Sequence, residues 1–348
     1  MDVKYLMIYK QLSLFNQITN NKILKCRFCG NEGLEDDFDI DFIHNNGFWC
    51  PDCDGYNFFN NENNNKRKFT LILEDKNNKD ITRCKSEIKF KKRLSLLRYP
   101  GGKSKLIDYL YLKLQKSKCN TFVEPYSGGA SLGLALLEAD VIEKLILNDI
   151  DFGIYSLFYL AVNNPYELIN LLHQSKPNYK DFYNAQKIVM SKYKNCDMLT
   201  AAWSCLIVNR LSFSGICKAG PLGGKKNINI DKLLSRWKPN DLVRKIERIH
   251  NMKSNIIVSN KDALEVIEEL YYCNNTTIFI DPPYWEKGKE LYNHYYTPEN
   301  HISLATMLET LYLSIPGADI LLTYDNQQYI KELYNWPIVE IINRVYSI

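Results

Sequence analysis

Residues 276–285 read T-T-I-F-I-D-P-P-Y-W. The apolar β-formers Ile278, Phe279 and Ile280 run directly into Asp281, Pro282, Pro283 and Tyr284. The run reads as a buried strand. Successive prolines donate no ladder hydrogen bonds, so the strand stops there. A carboxylate, a carbonyl of fixed direction and an aromatic ring are thereby held at a strand's C-terminal end, the edge where open α/β sheets bind ligands. Such a tip suits an exocyclic amine on a nucleobase. That amine has two N–H donors and a nitrogen whose lone pair is delocalised into the ring. The Asp281 carboxylate and the Pro282 carbonyl can each accept one N–H, which re-aims the lone pair at an electrophile, and Tyr284 can stack on the base. A base in a duplex must first leave the helix, at a cost of about a few kcal/mol. The competing reading is a Pro-Pro strand terminator with a surface tyrosine, and the rest of the chain decides between them.

Working back from this strand, residues 255–259 read as another strand ending at Asp262, followed by a helix over 263–271. Further upstream, residues 121–131 read T-F-V-E-P-Y-S-G-G-A-S and precede an apolar helix over 132–139. Strand, glycine-rich turn and helix open the nucleotide-binding half of a doubly wound sheet. The next strand, 144–147, ends in Asn148-Asp149-Ile150-Asp151. An acidic residue there is placed for ribose hydroxyls, although Asp149 could equally cap a helix. The P-G-G-K turn ending at Lys103 precedes a helix over 106–114, whose N-terminus suits a carboxylate or phosphate. The G-x-x-x-x-G-K-[ST] phosphate loop is not met. Downstream of residue 285, a polar aromatic loop to Tyr296 reads as a flap. A helix (301–311), a strand (318–323), a helix (329–334) and a last strand (338–345) follow.

Residues 152–250 break the alternation, with helices expected over 154–173, 179–194 and 197–209. Arg210, Lys218, Lys225, Lys226, Arg236 and Lys238 form a basic stripe interleaved with Phe213 and Trp237, a composition that suits a nucleic-acid face. A solvated helical lid is the alternative.

The chain has 348 residues and ten cysteines, with a net charge of +4 that permits but does not require a nucleic-acid partner. No apolar run is long enough for a membrane span, and the first residues lack a signal-peptide pattern, so the expected location is cytoplasmic. Cys26-Arg27-Phe28-Cys29 and Cys50-Pro51-Asp52-Cys53 match the knuckles of a zinc ribbon, in which four thiolates hold one structural zinc and leave no open position. Phe48, Trp49, Tyr56, Phe58 and Phe59 suit a ribbon core. The expected organisation is a ribbon over 1–60, a basic linker over 61–95 with a short strand inside it, and a main domain over 96–348. The expected fold class is α/β, Rossmann-like, with a helical insert at about 152–250.

Taken together and in order, the P-G-G-K turn, the F-V-E-P-Y-S-G-G loop, the N-D-I-D acidic end, the N-R-x-x-F-S-G insert motif and the D-P-P-Y tip resemble the Dam-type DNA adenine methyltransferases. The resemblance runs from about residue 97 to the C-terminus and leaves the cysteine module outside. It implies an S-adenosylmethionine-dependent methyltransferase fold acting on N6 of adenine in double-stranded DNA. By position it implies that Tyr99 and Lys103 meet the methionyl part of the cofactor. Glu124, Pro125, Tyr126 and Gly128 would line its pocket. Asp149, with Ile150 beside it, would take the ribose, and Asp262 the cofactor's adenine amine. Asp281, Pro282, Pro283 and Tyr284 would hold the flipped base, with Asp281 also near the cofactor. Arg210, Phe213, Ser214 and Lys218 fall where the family reads or wedges DNA, and Lys225 extends that stripe. Methyl transfer would be direct and in line.

Ala130 stands where the family loop often has glycine. Ser214 and Lys218 replace residues that are commonly Asn and Arg in relatives reading G-A-T-C, so base preference does not carry over. A DNA-binding protein that kept the fold but lost turnover, and cytosine N4 methylation by the same tip, are the alternatives. A restriction endonuclease partner is left open.

Overall fold

The computed structural model describes residues 23–25, 31–34, 39–40, 47–49, 51–52, 56–58, 69–75, 86–90, 94–98, 103–114, 119–224, 229–286, 295–314 and 317–343. The chain divides into two compact units, Met1–Asn64 and Asn65–Ile348. In the first, Ile23–Lys25 pairs antiparallel with Glu32–Leu34. Asp39–Ile40, Gly47–Trp49 and Tyr56–Phe58 form a second antiparallel sheet. Cys26, Cys29, Cys50 and Cys53 lie outside the described residues.

The second unit is built on a seven-stranded sheet: β1 (Phe69–Asp75), β2 (Thr121–Glu124), β3 (Lys144–Asn148), β4 (Ile256–Ser259), β5 (Thr276–Ile280), β6 (Asp319–Asp325) and β7 (Ile338–Asn343). Their order is β7-β1-β6-β5-β2-β3-β4, and every neighbouring pair is parallel. Alternate strand residues serve opposite faces. Ile72, Phe122, Leu145 and Phe279 enter one apolar cluster, while Leu71, Leu73, Val123, Ile278 and Ile280 enter another. The sheet is therefore covered on both sides, which is why its strands read as near-continuous apolar runs.

β1 corrects the expected linker over 61–95. Its F-T-L-I-L run is buried between β6 and β7, in register from Phe69 against Ile320 and from Thr70 against Ile338. Phe90, Leu94, Leu96 and Leu97 are buried as well, so the expected start of the main domain at residue 96 falls inside packed structure. Asn- and Lys-rich flanks made an interior strand look like part of a spacer. Its partners lie near the other end of the chain, where no local pattern points to them.

The described α-helices are α1 (Ile107–Leu114), α2 (Ser131–Glu138), α3 (Phe152–Asn163), α4 (Tyr166–Gln174), α5 (Tyr179–Met190), α6 (Met198–Leu211), α7 (Ile230–Leu233), α8 (Pro239–Asn251), α9 (Ala263–Tyr271), α10 (Pro298–Ser314) and α11 (Gln328–Leu333). α3 to α8 form the insert. The single helix expected over 154–173 is two, because Pro165, without an N–H, stands at the N-cap of α4. α6 is buried on nearly every side from Ala201 to Leu211 and forms the insert's axis. No described helix is long and apolar enough to cross a membrane.

Candidate active site

The site gathers at the C-terminal tips of adjacent strands. Asp281 leaves β5 with Lys103 Nζ 2.7 Å from its Oδ1. Thr323 Oγ1, from β6 alongside, donates to the same oxygen at 2.7 Å. Lys103 also donates to the Tyr284 hydroxyl at 3.0 Å and lies 5.0 Å from the centre of that ring. Glu74 Oε1, from the end of β1, is 3.5 Å from Lys103 Nζ. Trp285 N–H and Glu286 N–H donate to the two oxygens of Asp325, at 3.3 and 3.2 Å, which anchors the chain just beyond D-P-P-Y.

β2 ends in Glu124, whose buried Oε1 accepts from Gly133 N–H in α2 at 2.7 Å. Burial pushes its carboxyl up to about 8; the Gly133 donor opposes this, Asp281 adds to it and Lys103 lowers it. Glu124 thus feels both Asp281 and Lys103 from the tip of β2, the strand next to β5. The turn after Glu124 has Gly128 at φ 48° and Ala130 at φ 49°. Gly128 adopts that left-handed conformation freely, whereas a Cβ at Ala130 makes it strained by about 1–2 kcal/mol.

Asp149 holds this turn. Gly128 N–H donates to its Oδ2 at 2.8 Å and Asp151 N–H to its Oδ1 at 2.9 Å. Burial pushes the Asp149 carboxyl up to about 7, and the Asp151 carboxylate acts in the same direction, against the two backbone donors. The helix cap considered for Asp149 belongs to Asp151, which accepts from Gly153 and Ile154 at the start of α3. Beside Asp149, Ile150 is 45% exposed, an apolar patch at the rim.

Asn148, wholly buried, ties three strand ends together. Its Nδ2 donates to the carbonyls of Pro125 (3.0 Å) and Lys261 (3.1 Å), and its Oδ1 accepts from Ser259 Oγ and Lys261 N–H, each at 2.9 Å. Asp262 caps α9 through Leu264 N–H at 2.8 Å. Its charge reaches Tyr126 and Tyr296, whose hydroxyls bond each other. Tyr296 comes from the segment beyond D-P-P-Y-W and closes over the Tyr126 side. Behind Tyr284 stands an aromatic wall. Trp285 stacks on Tyr329 at 4.1 Å, and His301 Nδ1 meets the Tyr324 hydroxyl at 2.8 Å. Burial pushes His301 down to about 4, so it is neutral at ordinary pH.

The expected DNA-facing residues separate. Phe213 is 59% exposed, on a turn whose next two residues have positive φ, Ser214 at 54° and Gly215 at 76°. Exposed Lys218 has its Nζ 5.8 Å from the centre of the Tyr295 ring, so the insert loop and the flap meet. Arg210 is corrected: it is buried in α6, and its guanidinium donates to the Leu96 carbonyl. It braces segment 94–98 instead of facing solvent, because α6 buries nearly its whole circumference. Asn209 acts on the same segment, accepting from Arg98 N–H at 2.7 Å and donating to Arg98 O at 2.8 Å. Gly215 completes the fit, since a Cβ there would come within 2.4 Å of the Arg98 carbonyl. Much of the N-R-x-x-F-S-G motif is therefore packing. Tyr99 and Lys225 lie outside the described residues.

Sequence reasoning missed Glu74, Thr323, Asp325, Asn148 and Asn209. The first three stand at the ends of β runs, the same signal that singled out Asp281. The two asparagines carry no local signal, because their partners are mainly backbone groups from distant segments.

Comparison with known proteins places the chain among relatives. The chain is 21% identical over 252 residues to the type II methyltransferase M.CviBI of Paramecium bursaria Chlorella virus NC1A, covering 69% of this chain and 86% of that protein. It is 22% identical over 203 residues to the type II methyltransferase M.MjaIII of Methanocaldococcus jannaschii, covering 54% of this chain and 68% of that protein. The family model of the D12 class N6 adenine-specific DNA methyltransferases matches residues 99–347, so this chain belongs to that family.

Proposed function

We propose that Asp281, Pro282 and Tyr284 hold an adenine flipped out of duplex DNA while the chain methylates its N6 from S-adenosylmethionine at a defined sequence. The observation that carries this assignment is the coupling of Asp281 to Glu124 and Lys103 at neighbouring strand tips, next to the glycine turn that Asp149 holds. The residues fit the cofactor. A carboxyl group keeps acceptor capacity in either protonation state, so Asp149, using one site on each oxygen for backbone donors, retains acceptors for vicinal ribose hydroxyls. Ile150 offers an apolar face for the cofactor's adenine, and exposed Asp262 an acceptor for its amine. Lys103 suits the methionyl carboxylate, and Pro125 and Tyr126 belong to the same turn. The cofactor supplies a methyl group activated by a positive sulfonium.

The protein's part is placement and charge. Asp281 and the Pro282 carbonyl accept the two amine hydrogens and direct the nitrogen lone pair, while Pro283 fixes the chain direction and Tyr284 stacks on the ring. These preorganised acceptors lie where positive charge develops on the nitrogen. On the DNA side, Phe213 is exposed to enter a base step, with Ser214 and Lys218 beside it. Lys238, Arg244, Lys245 and Arg248, with Asp241, line a groove of about 590 Å³ suited to duplex phosphates. We assign a structural zinc to Cys26, Cys29, Cys50 and Cys53. The support is that each cysteine pair falls between two strands paired antiparallel, Ile23–Lys25 with Glu32–Leu34 and Gly47–Trp49 with Tyr56–Phe58.

Incubating the protein with duplex DNA and S-adenosylmethionine, then digesting the DNA for nucleoside mass spectrometry, tests the reading. N6-methyladenine is the expected product. Methyl found only on cytosine, or no methyl on the DNA, overturns it.

A further inference from the structure

Lys103 sits in an arrangement that opposes the reaction proposed above. Its side chain is 6% exposed, and a buried ammonium is costly without counter-ions. Here Nζ bonds Asp281 Oδ1 at 2.7 Å, with Glu74 Oε1 further off at 3.5 Å. Asp281 Oδ1 already accepts from Thr323. A target amine must bring its own N–H to that carboxylate and must gain positive charge as the methyl arrives. An ammonium bonded to the same carboxylate draws on its negative charge, which weakens it as an acceptor for the amine, and repels the developing charge.

Glu74 offers the alternative anchor. Its side chain is wholly buried, on a strand that lies outside the residues matching the family. β1 is buried between β6 and β7, so the Glu74 backbone is fixed, and Asn326 N–H bonds its carbonyl at 3.1 Å. A shift of about 0.7 Å would bring Nζ and Oε1 to the ~2.8 Å of a charge-assisted hydrogen bond.

We propose that Glu74 is a positioning residue that, together with the cofactor's methionyl carboxylate, takes the Lys103 ammonium when the target base enters, freeing the Asp281 carboxylate for the amine. No covalent bond changes in this step, because one ion pair is exchanged for another. The inference rests on the adenine-methylating reading above.

Glu74→Gln and Glu74→Asp, compared with wild type in the full chain, test it. Gln keeps size and hydrogen bonding but removes the charge, whereas Asp keeps the charge. The readouts are the single-turnover rate of methyl transfer to duplex DNA at saturating S-adenosylmethionine, and the Kd values for cofactor and for DNA. For Glu74→Gln the expected rate is roughly tenfold or more below wild type, with both Kd values within about twofold, because the interaction matters only once the base is engaged. Glu74→Asp should recover most of that rate. A merely structural carboxylate would change the melting temperature and leave the rate per folded, saturated enzyme intact. Three results overturn the proposal: a Glu74→Gln rate within twofold of wild type, a loss explained by weaker cofactor binding, or Asp as impaired as Gln. Wild type run alongside keeps the two readings apart, since wild type without methylation fells the function and this role together, whereas an active wild type with an unimpaired Glu74→Gln fells only the role of Glu74.

Discussion

Removing residues 1–64 and removing residues 1–96 should have opposite outcomes. The first deletion ends at the boundary between the two compact units. The second takes β1 from the sheet, and with it Phe69, Leu71, Ile72 and Leu73, all 0% exposed. Full burial of such a side chain contributes about 1.5–3 kcal/mol, so these four account for roughly 6–12 kcal/mol as an upper estimate. A domain's whole stability is about 5–15 kcal/mol. The deletion also strips β6 of one of its two partner strands and β7 of its partner, leaving backbone groups unsatisfied. The 65–348 fragment is expected to melt cooperatively and bind S-adenosylmethionine, and the 97–348 fragment to do neither. Circular-dichroism melts and titration calorimetry read both outcomes. A 97–348 fragment melting within a few degrees of 65–348 would refute the assignment of β1 to the catalytic fold.

Asn148→Ala leaves the Lys261 N–H, the Pro125 and Lys261 carbonyls and Ser259 without their shared partner, and should cost about 2–4 kcal/mol of stability and weaken cofactor binding. A melting temperature lowered by less than about 2 °C would show that water replaces the tie. Glu124 carries its proton to about pH 8 in the folded state against an ordinary 4.5, so the folded form binds the extra proton between those values. Its contribution therefore falls as pH rises from 4.5 to 8, by at most about 1.4 kcal/mol per pH unit. Denaturant melts of Glu124→Gln should show a flatter dependence over that window, and an unchanged slope would remove the effect. Purified full-length protein should carry about one zinc per chain, and chelation should raise hydrogen exchange in residues 1–64 first. Metal-free protein with unaltered exchange there would refute the ribbon.

What was legible in the sequence follows from the range of each cause. The D-P-P-Y tip, the glycine turn and the N-D-I-D end are local devices, in which a strand, a stop and a polar residue are contiguous, and the structure places them at neighbouring strand tips. The family resemblance joins them in the sequence itself. β1 was legible as a strand but not as a member of this sheet, because pairing with strands near the chain's other end leaves no local mark. Arg210 was misread for a related reason. A cation in a basic, aromatic stripe suggests a phosphate contact, but α6 is enclosed by its neighbours, and only the tertiary packing turns the guanidinium toward the Leu96 carbonyl. Pro165 did carry a local signal, and the periodicity of 154–173 obscured it.

The most direct test of the account is Asp281→Ala, assayed for N6-methyladenine in duplex DNA by mass spectrometry with cofactor binding and thermal melting measured on the same preparation. The account predicts cooperative melting, retained cofactor binding and methyl transfer reduced by about a thousandfold or more. A folded, cofactor-binding Asp281→Ala protein that still methylates adenine at near the wild-type rate would contradict it.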